Sequence, residues 1–340
     1  MDWKNTHGRD NDIVISSRIR LARNIRGRIM PTLMNQEQAK EVKDLVYGHI
    51  TSGNSSIAHQ FEDYDMKNIS LLERQVLVEK HMISPDLASS NIGSVIIKQD
   101  EQVSIMINEE DHIRLQCILP GFQLSQVWEM ANRMDDLIEE RIPYSYDEQW
   151  GYLTACPTNI GTGMRASVML HLPCTVLAGQ INSLIQAITK VGLTMRGLYG
   201  EGSEFVGDLF QISNQITLGS SEEEIIAKLH SVVKETIKRE RQIRKHFKDY
   251  NPINLEDKIY RSYGTLLYAR KLSYEECMKL LSFVRLGIDM GYIDDLDIQI
   301  INHLMTYTQA GMLQKNFGRI MDEDERDQVR TQYIREKINK

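Results

Sequence analysis

Short apolar runs rich in β-branched residues intermix with helical stretches up to about residue 250, and beyond it only helical spacing remains. Residues 13–24 (IVISSRIRLARN) begin as a β-rich stretch and become dense in arginine. Residues 35–50 set Val42, Leu45 and Val46 on one face of a helix. Residues 93–107 read as a hairpin, with two β-branched runs flanking the polar turn Lys98 to Gln102. A helix is expected over 123–142, stopped by Pro143. Residues 164–172 read as a strand or buried apolar segment, and 175–191 as an amphipathic helix. Ser220 or Ser221 followed by Glu223 and Glu224 is a helix-start signal, and that helix should run to about Phe247. Asn251 and Pro252 then break the pattern. Four further helices are expected, over 256–271, 273–290, 295–310 and 322–339, with Gly291, Gly311 and Gly318 near their ends as C-terminal caps.

This order implies an α+β fold class: a mixed domain over 1–250, then a small all-α domain over 251–340. A chain of 340 residues is long enough for two domains. With 41% hydrophobic and 26% charged residues it has the composition of a soluble globular protein. The net charge of -7 argues against a dedicated nucleic-acid binder. No apolar run approaches the ~18 residues needed to span a membrane. The segment Met1 to Asp12 is polar and lacks the apolar stretch of a signal peptide, so a cytoplasmic location is expected. Cys117, Cys156, Cys174 and Cys277 form no CxxC pair, which favours free thiols over zinc or thioredoxin-like chemistry.

Three segments carry candidate chemistry. In Ser16-Ser17-Arg18-Ile19-Arg20, an extended strand points Arg18 and Arg20 to the same side. Two adjacent guanidinium groups repel unless an anion lies between them, and polyphosphate matches their forks. The bland reading is a set of surface salt bridges. In Asn108-Glu109-Glu110-Asp111-His112-Ile113-Arg114, three successive carboxylates want a cation, either a metal ion or a positively charged substrate. Alone, this segment fits an acidic surface turn better. In Cys156-Pro157-Thr158-Asn159-Ile160-Gly161-Thr162-Gly163-Met164-Arg165, a tight loop with exposed N–H groups precedes an arginine, which suits phosphate. The Walker pattern and the HRD and DFG motifs of protein kinases are missing.

Together these blocks resemble the guanidino-phosphotransferase family, the creatine and arginine kinases. CPTNIGTGMRASV is similar to the family's reactive-cysteine signature, NEEDHIR to its acidic catalytic segment, and SSRIRLAR to its nucleotide-binding arginine strand. Glu79-Lys80-His81-Met82-Ile83-Ser84-Pro85 is similar to a segment whose histidine lies near the nucleotide. The four blocks keep the family order over about residues 12–250. The arginine strand starts at residue 13, without the preceding helical domain of members that act on free creatine or arginine, and a helical domain follows instead. Both features resemble a bacterial branch that phosphorylates arginine side chains of proteins.

The resemblance implies an antiparallel sheet flanked by helices, ATP as phosphoryl donor, and magnesium arriving with the nucleotide rather than at a protein metal site. It implies Glu110 as general base and Cys156 as a group tuning the acceptor pocket, not a nucleophile. Ser16, Ser17, Arg18, Ile19, Arg20, His81, Arg114, Arg165, Ala166, Ser167, Val168 and Met169 become nucleotide-site candidates. So does the glycine-rich segment Arg196, Gly197, Leu198, Tyr199, Gly200 and Glu201, similar to the family's mobile loop but with Tyr199 where a second arginine is usual. Either Glu201 or Glu204 is the second substrate carboxylate. In the helical domain, Arg326-Asp327-Gln328-Val329-Arg330 matches an Arg-Asp-x-x-Arg motif of that branch, implying dimerisation and phosphoarginine sensing. Arg326 and Arg330, four apart, would fork onto the phosphate, and Asp327 would take the guanidinium part. Implied partners are proteins with exposed arginines, a second copy of the chain, an activator and a Clp-type protease. The rival readings are a kinase of a small free guanidine and a phosphoarginine-reading adaptor.

Overall fold

A computed structural model describes residues 8–51, 58–197 and 205–339. In chain order the elements are β1 (Val14–Arg23), α1 (Gln36–Thr51), β2 (Phe61–Asp65), α2 (Leu71–Glu79), α3 (Pro85–Ser89), β3 (Ser94–Lys98), β4 (Val103–Ile107), β5 (Ile113–Pro120) and α4 (Leu124–Glu139). There follow β6 (Tyr146–Asp147), β7 (Gly151–Tyr152), β8 (Met164–His171), α5 (Pro173–Leu177), α6 (Ile181–Lys190), β9 (Leu193–Arg196), β10 (Leu209–Asn214) and α7 (Glu222–Tyr250). The last part is helical: α8 (Pro252–Tyr268), α9 (Tyr274–Asp289), α10 (Ile298–Tyr307), α11 (Ala310–Phe317) and α12 (Glu323–Ile338).

Eight strands form one antiparallel sheet in the order β2-β3-β4-β5-β1-β8-β10-β9. Period-2 alternation gives the central strands two different faces. Ile19, Leu21, Ala166, Val168 and Ile212 point into the main core, packed with side chains of α1, α4, α6 and α7. The opposite face carries Arg18, Arg20, Arg165, Ser167 and Gln211. It is bounded on one side by a cluster around Met82, Leu87, Met106 and Ile118. On the other side stands the core of the helical part, which takes in Leu209 and Cys174 from the sheet region.

Two buried anchors join the parts. Glu79, at the end of α2, accepts from the Gly311 and Met312 N–H groups at 2.7 Å each, satisfying the first turn of α11. Arg285 of α9, almost fully buried, donates to Asp12 O at 3.0 Å and to His171 Nδ1 at 2.9 Å.

Local expectations hold where a strong cap or period stands behind them. Ser221 and Glu224 close a capping box at the start of α7, and the 94–107 hairpin forms. Two differ. The expected helix over 175–191 is split into α5 and α6, because Gly179 takes φ 65° between them. Gly291 and Gly318 sit at helix ends with φ 73° and 64°, but Gly311 lies inside α11, a helix the periodicity did not reveal. A Cβ on Gly311 would fall 3.0 Å from both Glu79 carboxylate oxygens, so its role is close approach to α2.

Candidate active site

The cationic centre is built on adjacent strands. Register sets Arg20 opposite Arg165 and Arg18 opposite Ser167 across β1 and β8. Arg196 joins from β9, opposite Gln211 of β10. Arg18, Arg20, Arg165 and Arg196 line one cavity, with His81 and Gln116 at its wall. Arg18 Nε reaches Ser167 Oγ at 3.4 Å, and its Nη2 donates to Gln211 Oε1. Burial, together with Arg165 and Arg114, pushes the Arg18 pKa down to about 10. Burial and then the charges of Arg18, Arg114 and Arg165 hold Arg20 well below the usual arginine value, partly offset by Glu109. The Arg20 Nε is buried and makes no hydrogen bond among the described residues. Such a cluster is stabilised by an anion with several oxygens.

Not every residue of these strands faces the cavity. Ser17 Oγ donates to Gly121 O and accepts from Gln123 N, and Ile19, Ala166 and Val168 lie in the main core. Of the nucleotide-site candidates, these four turn their side chains away from the cavity, since alternate residues of a strand face opposite ways. Ser16 and Met169, opposite one another, lie on the cavity side, two residues beyond Arg18 and Ser167.

The acidic segment follows β4. Asn108 turns the chain with φ 55°, its Nδ2 donating to Ala39 O at 2.9 Å. Arg114 is turned to the carboxylates rather than to the arginines: Nη1 lies 2.7 Å from Glu109 Oε1, and Nη2 lies 3.3 Å from Glu110 Oε2. Glu109 is buried, and Ser84 Oγ donates to it. Glu110 keeps 41% of its side chain exposed, so of the two it is the one open to a substrate. Burial raises the Glu110 pKa; Arg114 opposes this, while Asp111, Glu109 and Asp86 add to it.

Asp111 and His112 do a different job. Asp111 Oδ1 accepts from Asn24 Nδ2 at 2.6 Å and from Ala155 N at 2.7 Å, so it ties the acidic segment to the residue before Cys156. His112 sits between Asn24 Oδ1 and Ile29 O, and its pKa is lowered by burial. Cys156, partly exposed, stands at the start of a short 3-10 turn with its Sγ 3.0 Å from Thr158 Oγ1. The glycines behind it are sterically required: a Cβ on Gly161 would fall 2.3 Å from Thr217 O, and one on Gly163 2.6 Å from Ala22 O. Gln116, Gln211, Ser84 and Asn24 were missed by sequence reasoning; lone amides and hydroxyls carry no motif.

Leu198, Tyr199, Gly200, Glu201 and Glu204 lie outside the described residues. Gly197 is buried at the end of β9. Among the described residues no group of three or more His, Cys, Asp or Glu is placed to hold a metal ion. No described helix is long and apolar enough to cross a membrane.

A second cleft, between α2, α11 and α12, is lined by Arg326, Asp327 and Arg330 together with Glu79, Glu275 and Glu323. The expected arginine fork is altered here. Arg330 is buried, with Nε on Thr308 O at 2.9 Å and Nη1 on Leu272 O at 2.6 Å and Asp327 Oδ1 at 2.5 Å. Arg326 donates from Nη1 to Met321 O at 3.0 Å and lines the cleft rim.

Comparison with known proteins places this geometry. Residues 41–243 match the model of the ATP:guanido phosphotransferase C-terminal catalytic domain, and residues 252–340 match the protein-arginine kinase McsB C-terminal domain. The chain is 48% identical over 338 residues to a protein-arginine kinase of Brevibacillus brevis, covering 99% of this chain and 95% of the relative. It is 50% identical over 337 residues to one from Bacillus licheniformis, covering 99% and 93%. A crystal structure of lombricine kinase superposes with TM-score 0.60 at 26% identity, over 70% of this chain and 68% of that one.

Proposed function

From the premise that the chain belongs to the ATP:guanido phosphotransferase family, we propose that it moves the γ-phosphoryl group of ATP onto arginine side chains of proteins. The reading rests above all on the crowd of Arg18, Arg20, Arg165 and Arg196 in one cavity, beside an accessible Glu110. Relatives about half identical over nearly the full length are protein-arginine kinases, which favours a polypeptide acceptor over a small guanidine.

In this mechanism the arginines take the phosphate oxygens, whose charge grows as transfer proceeds. The acceptor is a guanidinium with a pKa above about 12, and it is not nucleophilic until a proton leaves. Glu110 holds that guanidinium and takes the proton as the N–P bond forms and the bond to the ADP oxygen breaks. Its raised pKa makes it a better base than a free carboxylate, while positioning supplies much of the rate. Arg114, paired with both glutamates, fixes the Glu110 carboxylate instead of binding phosphate. Glu201 and Glu204 are both candidates for the second substrate carboxylate. Cys156, held near the acidic segment through Ala155 and Asp111, tunes the acceptor pocket electrostatically. Magnesium carried on ATP would supply charge screening at the phosphate oxygens, beside Arg18, Arg20, Arg165 and Arg196.

The same reading makes the cleft at Arg326 and Asp327 a phosphoarginine sensor. It makes the exposed α8 face with Ile253, Tyr260 and Tyr268 a surface for self-association. An activator and hand-over of marked clients to a Clp-type protease complete it.

The direct test incubates the chain with MgATP and a protein carrying exposed arginines, then maps modified sites by mass spectrometry without acid, because the N–P bond is acid-labile. Phosphoarginine in the protein is the expected result. Phosphorylation of free arginine alone would replace this reading with a small-guanidine kinase, and binding of phosphoarginine without transfer would replace it with an adaptor.

A further inference from the structure

The cationic cavity continues past Arg18. Along β1 and β8 the successive pairs on its side are Arg20 with Arg165, Arg18 with Ser167, and Ser16 with Met169. Four residues of strand separate Arg20 from Ser16, about 13 Å at ~3.3 Å per residue. At Ser16 the character changes: an enclosed and largely apolar compartment opens, and His81 lines both it and the arginine cavity. A β-bulge between Val14 and Ser16 turns the extra residue, Ile15, to its wall.

The far wall of this compartment comes from the helical part. Met278 of α9, Asn302, Met305 and Thr306 of α10, and Gln309 complete it. Asn302 is oriented by Arg285, whose Nε donates to its Oδ1 at 3.2 Å, and Arg285 is itself anchored on Asp12 and His171. A polyphosphate cavity that runs into an apolar chamber with amides at its edge has the division of a nucleoside triphosphate: charge at one end, an aromatic base at the other.

Resting on the kinase reading above, we propose that the helical part is a wall of the nucleotide-base compartment: Met278 and Met305 contact the faces of the purine, and Asn302 and Gln309 face its polar edge. An amide matches adenine because one side chain offers both a donor and an acceptor to the ring nitrogen and the amino group. The compartment holds free space of about 70 Å³, less than a purine requires. The residues that must yield are the two methionines, whose unbranched side chains repack at low cost. ATP binding therefore spans the junction between the two parts.

The test uses the full chain and two measurements. Photolabelling with 8-azido-ATP should leave an adduct on peptides spanning 298–309, suppressed by excess ATP. Met305→Trp, which fills the chamber, should weaken ATP binding about tenfold or more, while tripolyphosphate, which has no base, binds as before. Asn302→Ala, a smaller change, should weaken ATP binding in the same direction with circular dichroism unchanged. ATP-suppressible labelling confined to the sheet region, or folded variants of both kinds with native ATP affinity, would overturn the assignment. Arg18→Ala separates this from failure of the kinase reading. Loss of ATP and tripolyphosphate alike is expected and upholds the cradle, so that a failure of the labelling and of the chamber variants then removes the base wall alone; normal ATP binding by Arg18→Ala would bring down the cradle and the base compartment built on it together.

Discussion

Arg20 and Arg165 are direct cross-strand partners on β1 and β8, two guanidinium groups held on one face of the sheet. Like charges that are half-buried side by side cost stability, and an anion between them offsets it. Burial and the neighbouring arginines lower the Arg20 pKa, so its charged form is held at a cost in the ligand-free protein, a cost that is present at low pH and fades as pH rises. Arg20→Met should therefore raise the stability of the ligand-free protein, by roughly 1–4 kcal/mol on the scale found when buried charges are replaced by apolar groups. It should also remove most of the stabilisation that ATP confers. Thermal unfolding of both proteins with and without ATP reads both effects. A destabilised ligand-free variant with an unchanged response to ATP would show that Arg20 is structural.

Glu110 must be ionised to accept a proton. Because burial raises its pKa above 4.5 in the free enzyme, the acid limb of kcat/KM should lie above the usual carboxylate value. The bound guanidinium favours the ionised form, so the limb in kcat should lie lower than that in kcat/KM. Glu110→Gln should cost at least about 100-fold in transfer and flatten that limb, with ATP binding little changed. An unchanged acid limb in the variant would assign the proton to another group.

Cys156 is the one partly exposed cysteine. Cys117, Cys174 and Cys277 are buried, and burial raises the pKa of each, to about 12 for Cys277. Since the thiolate is the reactive form, alkylation in the folded state should fall on Cys156 first, and MgATP with substrate should protect it. Cys156→Ser should reduce activity without abolishing it. A trapped phosphocysteine at position 156 would make it a nucleophile.

Much of this site was legible in the sequence because strands and loops keep neighbouring chemistry in neighbouring positions. The Arg18 and Arg20 pair and the glycines before Arg165 suit phosphate by spacing but fit surface salt bridges too, and it was the family resemblance of the ordered blocks that gave them a nucleotide role. What stayed hidden depends on distant residues meeting. Whole segments were read as nucleotide-binding, yet Ile19, Ala166 and Val168 belong to the opposite face, which only the period of the strand separates. The pairing of Arg114 with Glu109 and Glu110 was not readable from the motif, which suggested only a phosphate-facing cation. The short helix α11 was invisible because its stability comes from outside: its first N–H groups are satisfied by Glu79, more than two hundred residues earlier in the chain.

The helical part offers the sharpest division of roles. Arg326 and Arg330 both line the cleft, but Arg330 is buried and commits Nε and Nη1 to Thr308 O, Leu272 O and Asp327. Those bonds tie α12 to the end of α10 and to the loop before α9, so Arg330→Ala removes a buried charge and leaves two carbonyls and a carboxylate without their donor. That should destabilise the protein by about 3–5 kcal/mol, the cost of breaking a buried pair by deleting one partner. Arg326 spends one nitrogen on Met321 O at the helix start, where Asp322 and Glu325 close a capping box without it. Arg326→Ala should leave thermal unfolding near native while abolishing phosphoarginine binding to this cleft. Titration calorimetry of the two full-length variants beside the parent chain decides the matter. If Arg326→Ala binds phosphoarginine as well as the parent does, the cleft is not the sensor. If Arg330→Ala is as stable as the parent, its buried bonds contribute nothing and its place in the motif must come from the ligand instead.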